Sequence, residues 1–236
     1  MSHIHIPDGV LPVWIVAAGW AVTALLLALC IRRVNSGDVK RKLPLIGIVS
    51  ALMIAGMTLE IVPIAYHVNL SIIAGILLGP ALAFISVFIV DLIISMFGHG
   101  GITVVGLNTV VIGAEAVLGY YLFQLLRTAM AGRGIGWSSA LAAVLSLFLS
   151  TSIMLGIVYV SHINPAVALH TEETVHDADG GAAVDMEAHG SLDFGRFVKT
   201  IFLLAPLGWA LEAAVTGLVV SYLYRVRPDL VASEKT

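Results

Sequence analysis

The sequence predicts an all-α polytopic membrane protein, with residues 1–236 forming a single integral membrane domain. Hydrophobic residues make up 59% of the chain and charged residues only 11%, and the mean hydropathy is +1.00. Soluble domains of this length do not have such a composition. Each apolar run is at least as long as the roughly 20 residues that a helix needs to cross the hydrocarbon core. The runs cover about 11–31, 44–66, 70–97, 104–126, 137–161 and 198–224.

The first run has the full length of a membrane span, and residues 1–10 contain no Lys or Arg. These features are not those of a cleavable signal peptide, so we expect the amino-terminal segment to be kept, whether or not Met1 alone is removed. Ala17 and Ala21 form a small-xxx-small pair, a weak helix-docking signal. The only cysteine is Cys30, which excludes an internal disulfide and a thiolate metal cage.

Gly79-Pro80 interrupts the third run, and proline breaks or kinks a helix. Charge decides whether this run crosses the membrane once or turns back, because positively charged loops stay in the cytoplasm. A run that enters and returns puts all the basic loops on one side. We therefore predict about seven membrane segments, with a short one at 70–79 that is enclosed by protein. The basic residues are Arg32, Arg33, Lys40, Arg41, Lys42, Arg127, Arg133, Arg225 and Arg227.

This topology predicts an extracellular amino terminus and a cytoplasmic carboxyl terminus in the cell membrane of a prokaryote. It also brings His3, His5, His67 and His99 to the outer face. Arg196 and Lys199, just before the last run, break the charge rule locally. The loop at 162–195, which contains four histidines and seven acidic residues, is expected to be a flexible outer loop, either merely solvated or a weak metal-gathering surface.

Residues 1–10 read Met-Ser-His-Ile-His-Ile-Pro-Asp-Gly-Val and predict an extracellular metal-binding tip. An α-amine, backbone amides and an imidazole provide the nitrogen donors that suit Ni(II), Cu(II) and Co(II). If Met1 is kept, His3 is third and completes a wrap of four nitrogens with the amine and the amides of Ser2 and His3. If Met1 is lost, the tip provides three nitrogens and a further ligand such as His67 is needed.

Asn69 lies beside His67 and is predicted to orient its ring. His99 lies in the glycine-rich turn 97–108 and is either a ligand or a group that orients one. Asn108 is predicted to hydrogen-bond the amino-terminal tip. Carboxylates inside the runs are costly in a bilayer, so they face protein or a cavity, as packing groups or as a polar path. They are Glu60, Asp91, Glu115 and Glu212.

The chain has no Walker A sequence, so it has no nucleotide site of this kind to drive transport, and it has no recognisable catalytic triad. Its net charge of −3 argues against a nucleic-acid partner. Two rival classes stay open. One is a proton-coupled metal permease that works alone, and the other is an intramembrane metallohydrolase that uses Glu60, Asp91 or Glu115.

Several segments together resemble the CbiM/NikM family, the substrate-capture components of energy-coupling-factor (ECF) importers for cobalt and nickel. The specific motifs end by about residue 126, and beyond that point the similarity is one of hydropathy. The segments are His5–Leu11, Tyr66–Leu70, Leu77–Pro80 and Phe97–Thr103.

The resemblance implies a substrate-binding helical bundle with an additional amino-terminal span. It implies that the chain is not itself an enzyme and works with a transmembrane coupling subunit, a small accessory membrane subunit and ATPase subunits. Cobalt would feed cobalamin biosynthesis and nickel would feed nickel enzymes. Members of the family typically begin Met-His-Ile and hold the metal with the terminal amine, the second residue and a histidine that His67 matches. The motif aligns His5 with that second residue, whereas Ser2-His3 lies nearer the amine.

Overall fold

The computed structural model describes residues 11–58, 67–98, 100–132, 134–161 and 194–231, and all regular structure in these ranges is α-helical. Five of the helices are long and apolar enough to cross a membrane, and α4 is a shorter apolar helix. The helices are α1 (Val13–Arg33), α2 (Ser36–Thr58), α3 (Ser71–Leu78), α4 (Pro80–Met96), α5 (Val105–Ala129), α6 (Ile135–Ser161), α7 (Phe194–Val226) and α8 (Pro228–Val231).

The predicted interruption of the third apolar run is confirmed. Gly79 separates α3 from α4 with a φ of 84°, and Pro80 occupies the first turn of α4, where its missing N–H costs nothing. Two boundaries differ from the sequence expectation. α2 begins at Ser36 and carries Pro44 inside it, because a helix continues through its polar first turns, which hydropathy does not detect. α7 begins at Phe194, so the predicted outer loop is two residues too long.

The short helix α3 is enclosed by protein, as predicted. All eight of its residues are buried. Glycines allow its backbone to lie directly on α5: a Cβ at Gly75 would come within 2.1 Å of the Ala116 carbonyl oxygen, and one at Gly119 within 2.9 Å of Ile72. Because α3 is too short to span a bilayer, its backbone has to be covered by protein, and this close contact with α5 provides part of that cover.

The additional amino-terminal helix α1 docks on the start of α5. A Cβ at Gly106 would lie 2.8 Å from the Trp20 Cα, so the two helix backbones touch. Trp20 Nε1 donates to the Thr103 carbonyl oxygen at 2.7 Å, and Thr23 Oγ1 donates to the Gly106 carbonyl oxygen. The contact face of α1 is therefore Gly19 and Thr23, which share the small-xxx-small spacing.

The other small pair, Ala17 and Ala21, is exposed, so the docking signal read from it was wrong. The two pairs lie on different faces of α1, and spacing alone does not show which face docks.

Basic side chains from separate parts of the chain meet at one end of the bundle, which we call the basic end. Arg33, Arg41, Lys42 and Arg227 line one cavity there. Arg127 Nη1 donates to the Val231 carbonyl oxygen at 3.3 Å, which ties the end of α5 to α8. The predicted topology, in which the third apolar run turns back between α3 and α4, requires these basic residues to lie at one end of the bundle.

Candidate metal centre

The segment of residues 67–70, which leads into α3, carries the predicted ligand His67 and lies directly on α2. The Val68 N–H donates to the Gly56 carbonyl oxygen at 3.1 Å. A Cβ at Gly56 would lie only 2.4 Å from the Val68 carbonyl oxygen, a distance that real Cβ atoms essentially never show. Glycine at position 56 is therefore what lets the segment reach this position.

Leu70 ends the segment in the left-handed region, with a φ of 58°, and precedes α3. A non-glycine residue in that region costs on the order of 1–3 kcal/mol and persists only where its surroundings fix it. The fixing contacts come from Asn69, whose side chain is only 1% exposed. Its backbone N–H donates to Glu212 Oε1 at 3.3 Å, and its Nδ2 donates to Glu115 Oε1 at 3.1 Å.

Glu115 is completely buried and accepts hydrogen bonds from three side chains. Asn69 and Ser71 donate to Oε1, and Ser150 donates to Oε2 at 3.1 Å. An acidic side chain in the middle of a membrane helix costs on the order of 2.5–3.5 kcal/mol on insertion scales. A hydrogen bond contributes about 1 kcal/mol net, so three bonds to this buried carboxyl group offset that cost. Glu115, on α5, thus bonds to the 67–70 segment, to the first residue of α3 and to α6. Glu212 bonds the segment to α7.

Two further polar residues lie on the same helix as Glu115. Asn108 is buried in the first turn of α5. Seven residues are two helical turns, so Asn108 shares the face of Glu115 about 10 Å closer to the start of the helix. Thr109 Oγ1 donates to Asp91 Oδ2 at 3.0 Å. The donor to the Asp91 carboxylate is therefore not one of the side chains that donate to Glu115.

The start of α1 lies beside this part of α5. Leu11 and Ile15 are buried against Val104 and Leu107, the residues that lead to Asn108. Leu11, the first described residue, is therefore held next to the first turn of α5.

Several predicted site residues lie outside the described residues, namely Met1, Ser2, His3, His5, His99 and Glu60. Within the described ranges, no three His, Cys, Asp or Glu side chains are grouped closely enough to hold a metal ion. His67 is half-buried, and Asn69, two residues later, donates to Glu212 and Glu115. Its role in orienting the His67 ring stays a prediction.

The sequence reading missed Ser71 and Ser150, which complete the environment of Glu115. A serine in an apolar helix gives only a weak signal, because such hydroxyls usually bond to their own helix backbone.

The long apolar helices define an integral membrane protein. Its bundle encloses a polar centre, which consists of Asn69, Ser71, Glu115, Ser150 and Glu212. The half-buried His67 is two residues before Asn69 in the chain. Residues 5–230 match the family model described as the cobalt uptake substrate-specific transmembrane region. The chain therefore belongs to the CbiM family and is a membrane subunit of metal transport. The match extends well past residue 126, where the recognisable motifs end.

Relatives agree with this assignment, and a solved structure shares the fold. The cobalt transport protein CbiM of Geobacter sulfurreducens is 31% identical over 97% of this chain, which spans 62% of that protein. A Haloquadratum walsbyi protein named "Putative metal transport protein" is 31% identical over 98% of this chain and 94% of its own length. A Methanocorpusculum labreanum protein named "Putative fused cobalt transport protein CbiMQ" is 26% identical over 98% of this chain, which covers 36% of it. The crystal structure of a truncated transition metal transporter shares the fold, with a TM-score of 0.73 at 23% identity, over 94% of this chain and 99% of that one.

Proposed function

We propose that this chain is the substrate-capture subunit of an ECF-type importer for cobalt or nickel, and that it takes the divalent ion from outside the cell. The ion is the cargo. Its ligands are the amino-terminal amine and amides of Met1 or Ser2, the imidazole of His3 or His5, and His67, with His99 as a further donor or an orienting group. The observation that carries this proposal is that the 67–70 segment, which contains His67, is fixed by hydrogen bonds to α2, Glu115 and Glu212.

A rigid His67 is useful to such a site because the amino-terminal tip supplies too few nitrogen donors without it when Met1 is absent. The reach of the chain supports this arrangement. Leu11 packs at the start of α5, and Asn69 bonds to Glu115 about two turns further along the same helix. The six residues from His5 to Leu11 can extend to about 20 Å, which is more than these two turns require. Nitrogen donors of this kind suit both ions, and geometry and supply then select between cobalt and nickel.

The partners in this proposal are a transmembrane coupling subunit, a small accessory membrane subunit and ATPase subunits, and the cobalt imported would feed cobalamin biosynthesis. The fused relative supports the coupling subunit, because its name joins a CbiM part to a CbiQ part in one chain. In the cell membrane of a prokaryote, the basic end would face the cytoplasm by the positive-inside rule. The amino terminus would then be outside and the carboxyl terminus inside.

An affinity tag placed at either end of the chain tests whether the amino-terminal amine binds the ion. An amino-terminal extension replaces the α-amine by a peptide bond and removes one nitrogen donor, so we expect nickel and cobalt binding to be lost in calorimetric titration. The same tag at the carboxyl terminus is the matched control and should leave binding intact. His67→Ala should also abolish binding, whereas His189→Ala, a histidine of the 162–195 stretch, should not. Full binding by the amino-terminally tagged protein would contradict an amine ligand.

Reconstituted vesicles test the division of labour between subunits. The purified chain alone should bind the ion without accumulating it, with or without a proton gradient. Accumulation driven by a proton gradient would instead identify a permease that works alone, with the buried carboxylates as its proton relay.

A further inference from the structure

The first half of α1 is the part of this helix that packs on the bundle. The buried residues of α1 are Ile15, Gly19 and Thr23, which are four residues apart and form one stripe. From residue 24 to residue 33, no residue of the helix is buried. A cavity of about 1080 Å³ lies there, between α1 on one side and α4 and α5 on the other. The position of α1 therefore depends on a contact about three helical turns long.

Apolar packing alone does not determine how far α1 extends along α5. Ile15 packs with Val104 and Leu107, but lipid chains offer an apolar side chain equally apolar surroundings. In a membrane, small residues and hydrogen bonds between helices determine how two helices meet. Gly19 is the small residue of this contact, because a Cβ there would lie 3.0 Å from the Leu107 Cβ.

The hydrogen bonds of the contact come from two side chains of α1. Trp20 Nε1 donates to the Thr103 carbonyl oxygen at 2.7 Å, and Thr23 Oγ1 donates to the Gly106 carbonyl oxygen. The Trp20 ring also meets the Phe88 ring of α4 edge-on, with 6.4 Å between the ring centroids. A shift of α1 by one turn, about 5.4 Å, would take both donors away from these acceptors, and an N–H or O–H group without an acceptor is costly in hydrocarbon. The two side chains therefore fix the register of α1 on α5.

We propose that Trp20 and Thr23 are positioning residues of the metal site. This inference rests on the proposed function, in which the amino-terminal tip binds the ion together with His67. The two residues act through Leu11, which is buried at the end of the docked stripe and is the point where the tip is attached. A tip attached within reach of His67 has a high effective concentration there, and this concentration falls when the attachment point moves away. Loss of the two hydrogen bonds therefore lowers the metal affinity, although neither side chain touches the ion.

The test removes the two donors and keeps the packing. Trp20→Phe keeps an aromatic ring beside Phe88, and Thr23→Val keeps the shape of the side chain. Hydrogen bonds between membrane helices typically change an equilibrium about threefold each, so the double variant should bind nickel and cobalt about tenfold more weakly in calorimetric titration. Thr23→Ser keeps the hydroxyl group and should retain the wild-type affinity.

A matched control makes the same two chemical changes elsewhere, in the variant Trp14→Phe, Thr128→Val. Trp14 is exposed and is closer to the tip than Trp20 is. Thr128 Oγ1 donates within its own helix, to the Gln124 carbonyl oxygen. This control should bind both ions as the wild type does, and thermal unfolding verifies the fold of each variant. An equal loss of affinity in the control would overturn the proposal.

A disulfide across the contact tests whether the two residues act through docking. The Cβ positions of residues 19 and 107 are 3.0 Å apart, a small shift from the roughly 3.5–4.5 Å of disulfides. Gly19→Cys with Leu107→Cys, in a Cys30→Ser background, should therefore form a cross-link with oxidised glutathione that holds α1 on α5. The cross-link should restore the metal affinity of the Trp20→Phe, Thr23→Val protein, and its reduction should remove this rescue.

The rate of cross-link formation measures the docking of α1 without any metal. Equal rates with and without Trp20→Phe, Thr23→Val would mean that the hydrogen bonds do not hold α1, and would overturn the proposal whatever the metal ligands are. Slower cross-linking with unchanged metal affinity would also overturn it, since docking would then not serve the site. A loss of affinity that the cross-link does not restore would assign the two residues a role other than positioning. The amino-terminal tag separately decides whether the amine is a ligand, so failure of the proposed function is seen there and not in the cross-linking rate.

Discussion

Replacing Gly56 by alanine should weaken metal binding through the position of His67 alone. The added Cβ would lie 2.4 Å from the Val68 carbonyl oxygen, whereas real Cβ contacts essentially always exceed 3.0 Å. The 67–70 segment must therefore move away from α2 by at least about 0.6 Å, the size of displacement that a preorganised site does not tolerate. Since changes in the groups that support a metal ligand typically cost 10–100-fold in affinity, we expect a loss of roughly that size for Gly56→Ala.

Gly47→Ala on the same helix is the matched control, because a Cβ there meets nothing within 4 Å. Alanine is the better helix former by about 1 kcal/mol, so this variant should be at least as stable as the wild type, with unchanged affinity. Isothermal titration with nickel and cobalt measures the affinities, and thermal unfolding verifies the fold. A folded Gly56→Ala protein with wild-type affinity would refute the reasoning that the fixed segment serves a metal site.

Three further predictions concern the carboxylate, the protons and the docking of α1. Glu115→Ala removes the acceptor of three hydrogen bonds and should lower metal affinity on the order of 10–100-fold in titration. Glu115→Gln keeps one acceptor oxygen and should lower the affinity less; equal losses in the two variants would argue against a positioning role. Metal affinity should fall steeply from pH ~7.5 to ~5.5 with more than one proton released per ion, measured in two buffers of different ionisation enthalpy, because imidazole and amine ligands must be neutral; a flat profile would exclude a nitrogen site. Gly106→Ala should lower the unfolding temperature, since its Cβ would lie 2.8 Å from the Trp20 Cα. Gly156→Ala is the control, because a Cβ there meets nothing within 4 Å. Equal unfolding temperatures of the two variants would show that α1 does not dock on α5 at Gly106.

The sequence predicted the helices and the turn-back well, because each depends on local features. Hydropathy locates the spans, and Gly79-Pro80 together with the distribution of basic residues indicates that the third run is divided. The beginning of α2 was placed too late, because Ser36–Lys42 are polar and hydropathy reports the lipid contact of a helix and not its length. The choice of Gly19 over Ala17 in the docking of α1 depends on how α1 turns against α5, which spacing alone does not determine.

The polar centre was predicted only in its parts. Asn69 and Glu115 are each conspicuous in the sequence, one beside a histidine and the other inside an apolar run. Their hydrogen bond joins residues 46 positions apart. Such a contact depends on the crossing of α3 over α5, which glycines at positions 75 and 119 permit and which no local pattern reveals.

The burial of α3 has a consequence for the biogenesis of the protein. An eight-residue helix is about 12 Å long, so it cannot cross the bilayer as an independent hairpin arm. Its backbone is covered only when α5 is present, since Ala116 and Gly119 form the surface on which it lies. The segment from α2 to α4 therefore reaches its final depth after the later helix has entered the membrane, and a chain that ends before α5 would leave α3 without its cover.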